Sequence, residues 1–241
     1  MADIIQVLSL VIGAGPALGL MYFTLKDYTF PAVEKPFFND KKVFLFFAIG
    51  IIVGVIVFGF EDWGTRSATP ETAIGLILGF AIMEELMKFV VLNFPRFQRK
   101  VDTAFCGVGF GLGIAATFAF ATVYVFFLDV GNVQIAEVVA GSLLGFMFVL
   151  LHGSTTGLIG TGIARGEAQM YFIEALLIHI GFAFFYQSFF AVDIVPFPVN
   201  LAGLVVAAAI VVWAYHRLHS MALPNLISDA KRLYAQGKMK A

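Results

Sequence analysis

Long apolar runs constrain this chain more than any other feature. Between polar breaks the sequence falls into seven stretches: Ile5 to Leu25, Val43 to Phe60, Thr72 to Phe94, Asp102 to Leu128, Ile135 to Ala164, Ala168 to Ala191 and Leu201 to Leu218. Each is near the roughly 20 residues that carry a helix across a bilayer. Inside lipid no water is present to satisfy the backbone, so such runs must be helical. With 60% apolar residues, 28 Phe and only 13% charged residues, a water-soluble fold would have nowhere to place its apolar surface. The expected fold is all-α: a polytopic helical membrane protein of about seven transmembrane helices. One membrane domain covers residues 1–223, and a polar tail, 224–241, carries a short amphipathic surface helix around Ile227 to Tyr234.

Charge placement orients the bundle. Lys and Arg concentrate in the first and third connectors and in the tail, while the fourth and sixth connectors have none. The positive-inside rule then predicts an outside N-terminus and a cytoplasmic C-terminus. The N-terminal run lacks a basic flank, so it is expected to stay as the first span. Thr69-Pro70-Glu71 reads as N-cap, first-turn proline and dipole-compensating acid for the third. No basic stripe interleaves with aromatics, which removes nucleic acid as a partner. The single cysteine, Cys106, excludes an internal disulfide.

Against this background the third run is anomalous. It contains Glu84, Glu85 and Lys88, each costing roughly 2.5 to 3.5 kcal/mol at the middle of a spanning helix. Intramembrane charges of this kind mark reaction or transport sites. Glu84 lies 11 residues before Pro95, which puts it about 16 Å from the cytoplasmic end of its helix. His152 lies 13 residues before Arg165 and His179 lies 13 after Gly166, so both stand about 20 Å from the same side. The three groups share one layer, and the tight turn at Arg165-Gly166 makes the fifth and sixth spans antiparallel neighbours. Glu85 and Lys88, three residues apart, read either as part of the site or as a self-neutralised pair, with Lys88 stretching toward the cytoplasm. The run Gly107 to Gly113 is expected to give two overlapping Gly-xxx-Gly packing faces rather than a nucleotide loop. Glu174, Glu137, His216 and His219 are expected to be peripheral.

These residues carry a resemblance. Glu84-Glu85-x-x-Lys88 resembles the first motif of the PrsW-type membrane proteases, a glutamic intramembrane protease family related to the type II CAAX prenyl endopeptidases and bacteriocin-processing membrane proteases. Asp102 to Ala116 resembles the family's second block and His152 to Arg165 its third, and His179 falls where the last histidine is expected. The likeness covers roughly Thr72 to Tyr186, within a site-bearing core of about residues 72–190. Two departures stand out. Phe118-Ala119 occupies a place where the family usually has Glu-Asn, and Ala183 one where an Asn commonly follows the last histidine.

The resemblance implies hydrolysis of a peptide bond in or near the membrane of a prokaryotic cell, with a membrane-embedded protein or peptide as substrate and no cofactor. Glu84 and His152 would hold and deprotonate a water, and His179 would donate to the oxyanion, helped by Thr156 in place of the absent Asn. Glu85 with Lys88 would fix the helix register. The cytoplasmic half of the bundle would admit the water. Three alternatives stay open: zinc held by Glu84, His152 and His179, a proton-coupled transporter, and a catalytically inactive scaffold.

Overall fold

The computed structural model describes residues 2–65, 69–131, 133–190 and 197–235. Among these there are eight α-helices and no strand: α1 (Ala2–Leu25), α2 (Asp40–Thr65), α3 (Pro70–Leu92), α4 (Asp102–Val130), α5 (Ile135–Arg165), α6 (Ala168–Phe190), α7 (Phe197–His216) and α8 (Leu223–Ala235). Ala191, the expected end of the sixth span, lies outside the described residues, as do residues 236–241 of the tail.

By length and composition, six helical stretches can cross a membrane: α1, α2, α4, α5, α6, and α7 with its continuation. The chain is a polytopic helical membrane protein. α3 is not one of the six, because Glu84, Glu85 and Lys88 interrupt its apolar run. Yet its 23 residues make it about 35 Å long. Of the seven expected spans, six therefore qualify by length and composition, and the third, α3, does not. Outward-facing Val7, Ile52, Leu86, Val90, Leu177 and Val205 are exposed, as lipid-facing side chains must be.

α4 and α5 form the core. Every residue of α4 from Thr103 to Ala116 is buried, and every residue of α5 from Val149 to Ile163. In lipid, apolar helices gain little by hiding from one another, so association relies on close backbone approach. The two glycine faces of α4 supply it. A Cβ on Gly107 or Gly111 would strike the Thr156 or His152 carbonyl of α5, and one on Gly109 or Gly113 would strike the Val43 or Phe47 carbonyl of α2. Because these neighbours are backbone atoms, they cannot step aside. Gly113→Val should cost at least the roughly 1–3 kcal/mol of an overpacked core, read as a lowered thermal midpoint in detergent. Gly59→Ala, with nothing within 4 Å of the added Cβ, should leave the midpoint unchanged or raise it.

α2 runs through Thr65, past the Val43–Phe60 span expected from hydropathy. α7 continues through a π-helical turn, Arg217–Ala222, directly into α8. Leu223, Leu226, Ile227 and Ala230 of α8 recur at helical spacing and are buried in the main core. Arg217 pairs with Glu174 of α6 at 2.9 Å, and Arg165 with Asp229 of α8 at 3.1 Å.

Candidate functional site

α3 begins at the Thr69 N-cap, whose backbone N–H donates to the Thr72 hydroxyl at 3.0 Å. Its inward stripe is Ala81, Glu84, Glu85 and Lys88, all buried, while Ile82, Met83, Leu86 and Val90 on the other faces are exposed. That spacing is one face of a helix, and it points every charge of the run away from lipid. The stripe packs mainly against α5 and α6. These two helices are joined by a tight turn in which Gly166 holds the left-handed conformation (φ 78°) and closes α5. The turn sets His152 and His179 on facing helices, and one ring atom from each lies within 4.8 Å of a Glu84 oxygen and of the other.

The hydrogen bonds assign proton positions. Lys88 is wholly buried and donates to Glu85 Oε1 at 2.6 Å, to His152 Nδ1 at 3.0 Å and toward Thr155 Oγ1 at 3.5 Å. It does not stretch to the cytoplasmic side as expected. A buried ammonium needs a carboxylate within reach, and Glu85 supplies one a single turn away. An ammonium has only donors, so His152 Nδ1 accepts and its proton sits on Nε2, an atom with no hydrogen-bond partner among the described residues. His179 Nδ1 donates to Glu85 Oε1 at 2.6 Å, which leaves Nε2 as an acceptor 3.5 Å from Glu84 Oε1. Glu84 Oε2 lies 3.6 Å from His152 Nδ1 and has no hydrogen-bond partner among the described residues.

A residue just past the Val43–Phe60 apolar run joins this group. Glu61, in the extended end of α2, is in carboxyl-to-carboxyl contact with Glu84, and its Oε1 is buried without a hydrogen-bond partner among the described residues. The signal was available: Gly50, Gly54, Phe58, Glu61 and Thr65 lie on one helical face. Gly50 and Gly54 of that face meet α4 and Phe58 lines the cavity described next. Thr156, by contrast, is not at the site. It packs on Gly111 at the α4–α5 interface, and the hydroxyl near the charged cluster is that of Thr155.

A cavity of about 520 Å³ adjoins Glu61, Glu84 and His179. Its other walls include Phe58 and Thr65 at the end of α2, Leu76 and Phe80 in the first half of α3, Val125 and Asp129 late in α4, and Tyr186 and Gln187 late in α6. It therefore extends toward the α2–α3, α4–α5 and α6–α7 connections. That is the opposite half from the one expected to admit water, since the Lys- and Arg-rich connectors lie at the other end. Both departures from the family pattern reach the cavity. Phe118 lines it with its ring centroid 4.9 Å from that of His152, and Ala183 lines it as well, whereas Ala119 packs behind, near Gly145.

The zinc alternative can be tested on the donor set. The His179–Glu85 bond is the carboxylate support that metal-bound histidines commonly have. At His152, however, the Nδ1 lone pair is taken by Lys88 and Nε2 carries the proton, so this arrangement offers two of the three donors. The residues as placed do not fit a three-ligand zinc site. Purified protein should carry less than one equivalent of metal, and chelator should not shift its thermal midpoint. Stoichiometric metal whose removal lowers the midpoint would overturn the proton assignment at His152.

No protein-family model, no curated protein and no solved structure matches this chain.

Proposed function

We propose that the chain is an intramembrane peptidase of a prokaryotic cell membrane, hydrolysing a peptide bond with a water activated by Glu84, as the resemblance to PrsW-type proteases implies. One observation carries the reading: a buried carboxylate faces two imidazoles at 3.5 and 3.6 Å, beside a cavity in a bundle of apolar helices. Those separations exceed a direct hydrogen bond. Glu84 Oε1 and His179 Nε2 are both acceptors, and a water between them could donate one proton to each.

In this scheme Glu84 takes a proton as the water oxygen bonds to the scissile carbonyl carbon. The proton then passes to the amide nitrogen as the C–N bond breaks, leaving a carboxyl group and an amine. The Nε2–H of His152 is the donor for the oxyanion. The two histidines thus exchange the parts expected from sequence, because Lys88 and Glu85 fix opposite tautomers. The Glu85–Lys88 pair positions both rings rather than only the helix.

The test is direct. The purified chain in proteoliposomes, given a set of single-span reporters, should release two fragments cut in the half of the span that faces the cavity. The cavity end is the outer one if the Lys/Arg-rich face is cytoplasmic. Absence of fragments from every reporter would reject the reading.

A further inference from the structure

The cavity is one-sided in charge. Glu61, Glu84 and Asp129 line it, and among the described residues no Lys or Arg does. Lys88, the one basic residue of α3, is committed to Glu85 and His152. Asp129 lies in the last turn of α4 with no basic residue in that turn, so the negative end of the helix dipole adds to its charge. Deeper in, Glu61 and Glu84 bring two carboxyls together. Glu84 is only 4% exposed in its side chain, and Glu84 Oε2 and Glu61 Oε1 have no hydrogen-bond partner among the described residues. Two carboxyls in contact within a low-dielectric site can share a proton, and both can hold charge only with a cation beside them. Among the described residues that line the cavity, none supplies a positive charge to that contact.

The walls indicate what kind of cation would supply it. Phe58, Phe80, Phe118 and Tyr186 surround the acids with aromatic surface, which favours ammonium and guanidinium groups over ring faces. A volume of about 520 Å³ lies within the range that holds a side chain with its neighbours. A basic side chain has both required parts, an apolar stem and a charged head.

We propose that this cavity recognises an apolar peptide segment bearing a Lys or Arg side chain, whose cationic head is seated at Glu61 with Asp129 above it and whose stem lies along the aromatic walls. Seated there, the cation offsets the charge of the Glu61–Glu84 contact and leaves Glu84 free to take a proton. That the ligand is a peptide rests on the proposed hydrolysis; the preference for a cation rests on the cavity.

The experiment measures binding apart from cleavage. His152→Ala protein, which keeps Glu61, Glu84 and Asp129, is placed in phosphatidylcholine nanodiscs with chelator present. Labelled apolar peptides differing only in a central Lys, Gln or Glu are titrated by fluorescence anisotropy. The Lys peptide should bind at least tenfold more tightly than the Gln peptide, with the Glu peptide weakest. Adding Glu61→Gln or the exposed Asp129→Asn should reduce that preference, and both together should remove it without lowering the thermal midpoint. Equal affinities for Lys and Gln peptides, or a preference that survives both substitutions, would overturn the inference. So would an alkylamine that competes as well as the Lys peptide, since the site would then belong to small amphiphilic cations. Charge-selective binding with no cleavage of these peptides by the unsubstituted protein would sink the hydrolase reading and leave the cation site standing. Cleavage without charge preference would do the reverse.

Discussion

Glu84→Gln should lower the turnover of a reporter span by about 10²- to 10⁴-fold, the range supplied by a positioned general base. The amide keeps the shape of the side chain but cannot take the proton of the attacking water. Its effect on folding should have the opposite sign. The substitution removes a like-charge contact with Glu61, so the thermal midpoint should stay the same or rise. His179→Ala should reduce turnover to a similar degree, and the double variant should lose little more, because groups that act as one unit are not additive. Single-turnover kinetics in proteoliposomes measure this. A loss below tenfold for Glu84→Gln would remove it from the role of base.

Lys88→Met should have the largest effect on stability. Lys88 and Glu85 are both 0% exposed and meet at 2.6 Å, and removing one partner of a buried pair typically costs about 3–5 kcal/mol because the other charge is left uncompensated. Glu85 would keep only His179, and His152 Nδ1 would lose its donor. Replacing both members, Lys88→Met with Glu85→Leu, should recover part of the loss, since an apolar pair of similar volume leaves no orphaned charge. Thermal unfolding of the unsubstituted chain, the Lys88→Met and Glu85→Leu single variants and the double variant gives the coupling directly. A Lys88→Met midpoint equal to that of the unsubstituted chain would mean that the ion pair does not hold α3 in place.

Much of the site was legible from spacing alone. Counting residues from the polar ends put Glu84, His152 and His179 in one layer, and the structure brings them within 4.8 Å of one another. The count works because a spanning helix has a fixed rise and known ends. The two glycine faces of α4 were equally legible, because Gly-xxx-Gly spacing has few other uses inside a span. Glu61 was not, because hydropathy marks where an apolar run stops, and α2 continues for several residues beyond it. The direction of the cavity was missed for a related reason. It depends on which helix halves splay apart, and that follows from how α2, α3, α4 and α6 diverge rather than from the depth of the charges. Thr155 and Thr156 lie one position apart on the same buried stretch of α5, a rotation that periodicity cannot resolve without knowing the neighbours.

The partners of α3 also bear on how the protein is made. Lys88 meets His152, 64 positions downstream, and Glu85 meets His179, 94 positions downstream. While the ribosome is still short of α6, Glu85 has Lys88 on its own helix but not yet His179. The polar layer of α3 is therefore complete only once the sixth helix has been synthesised.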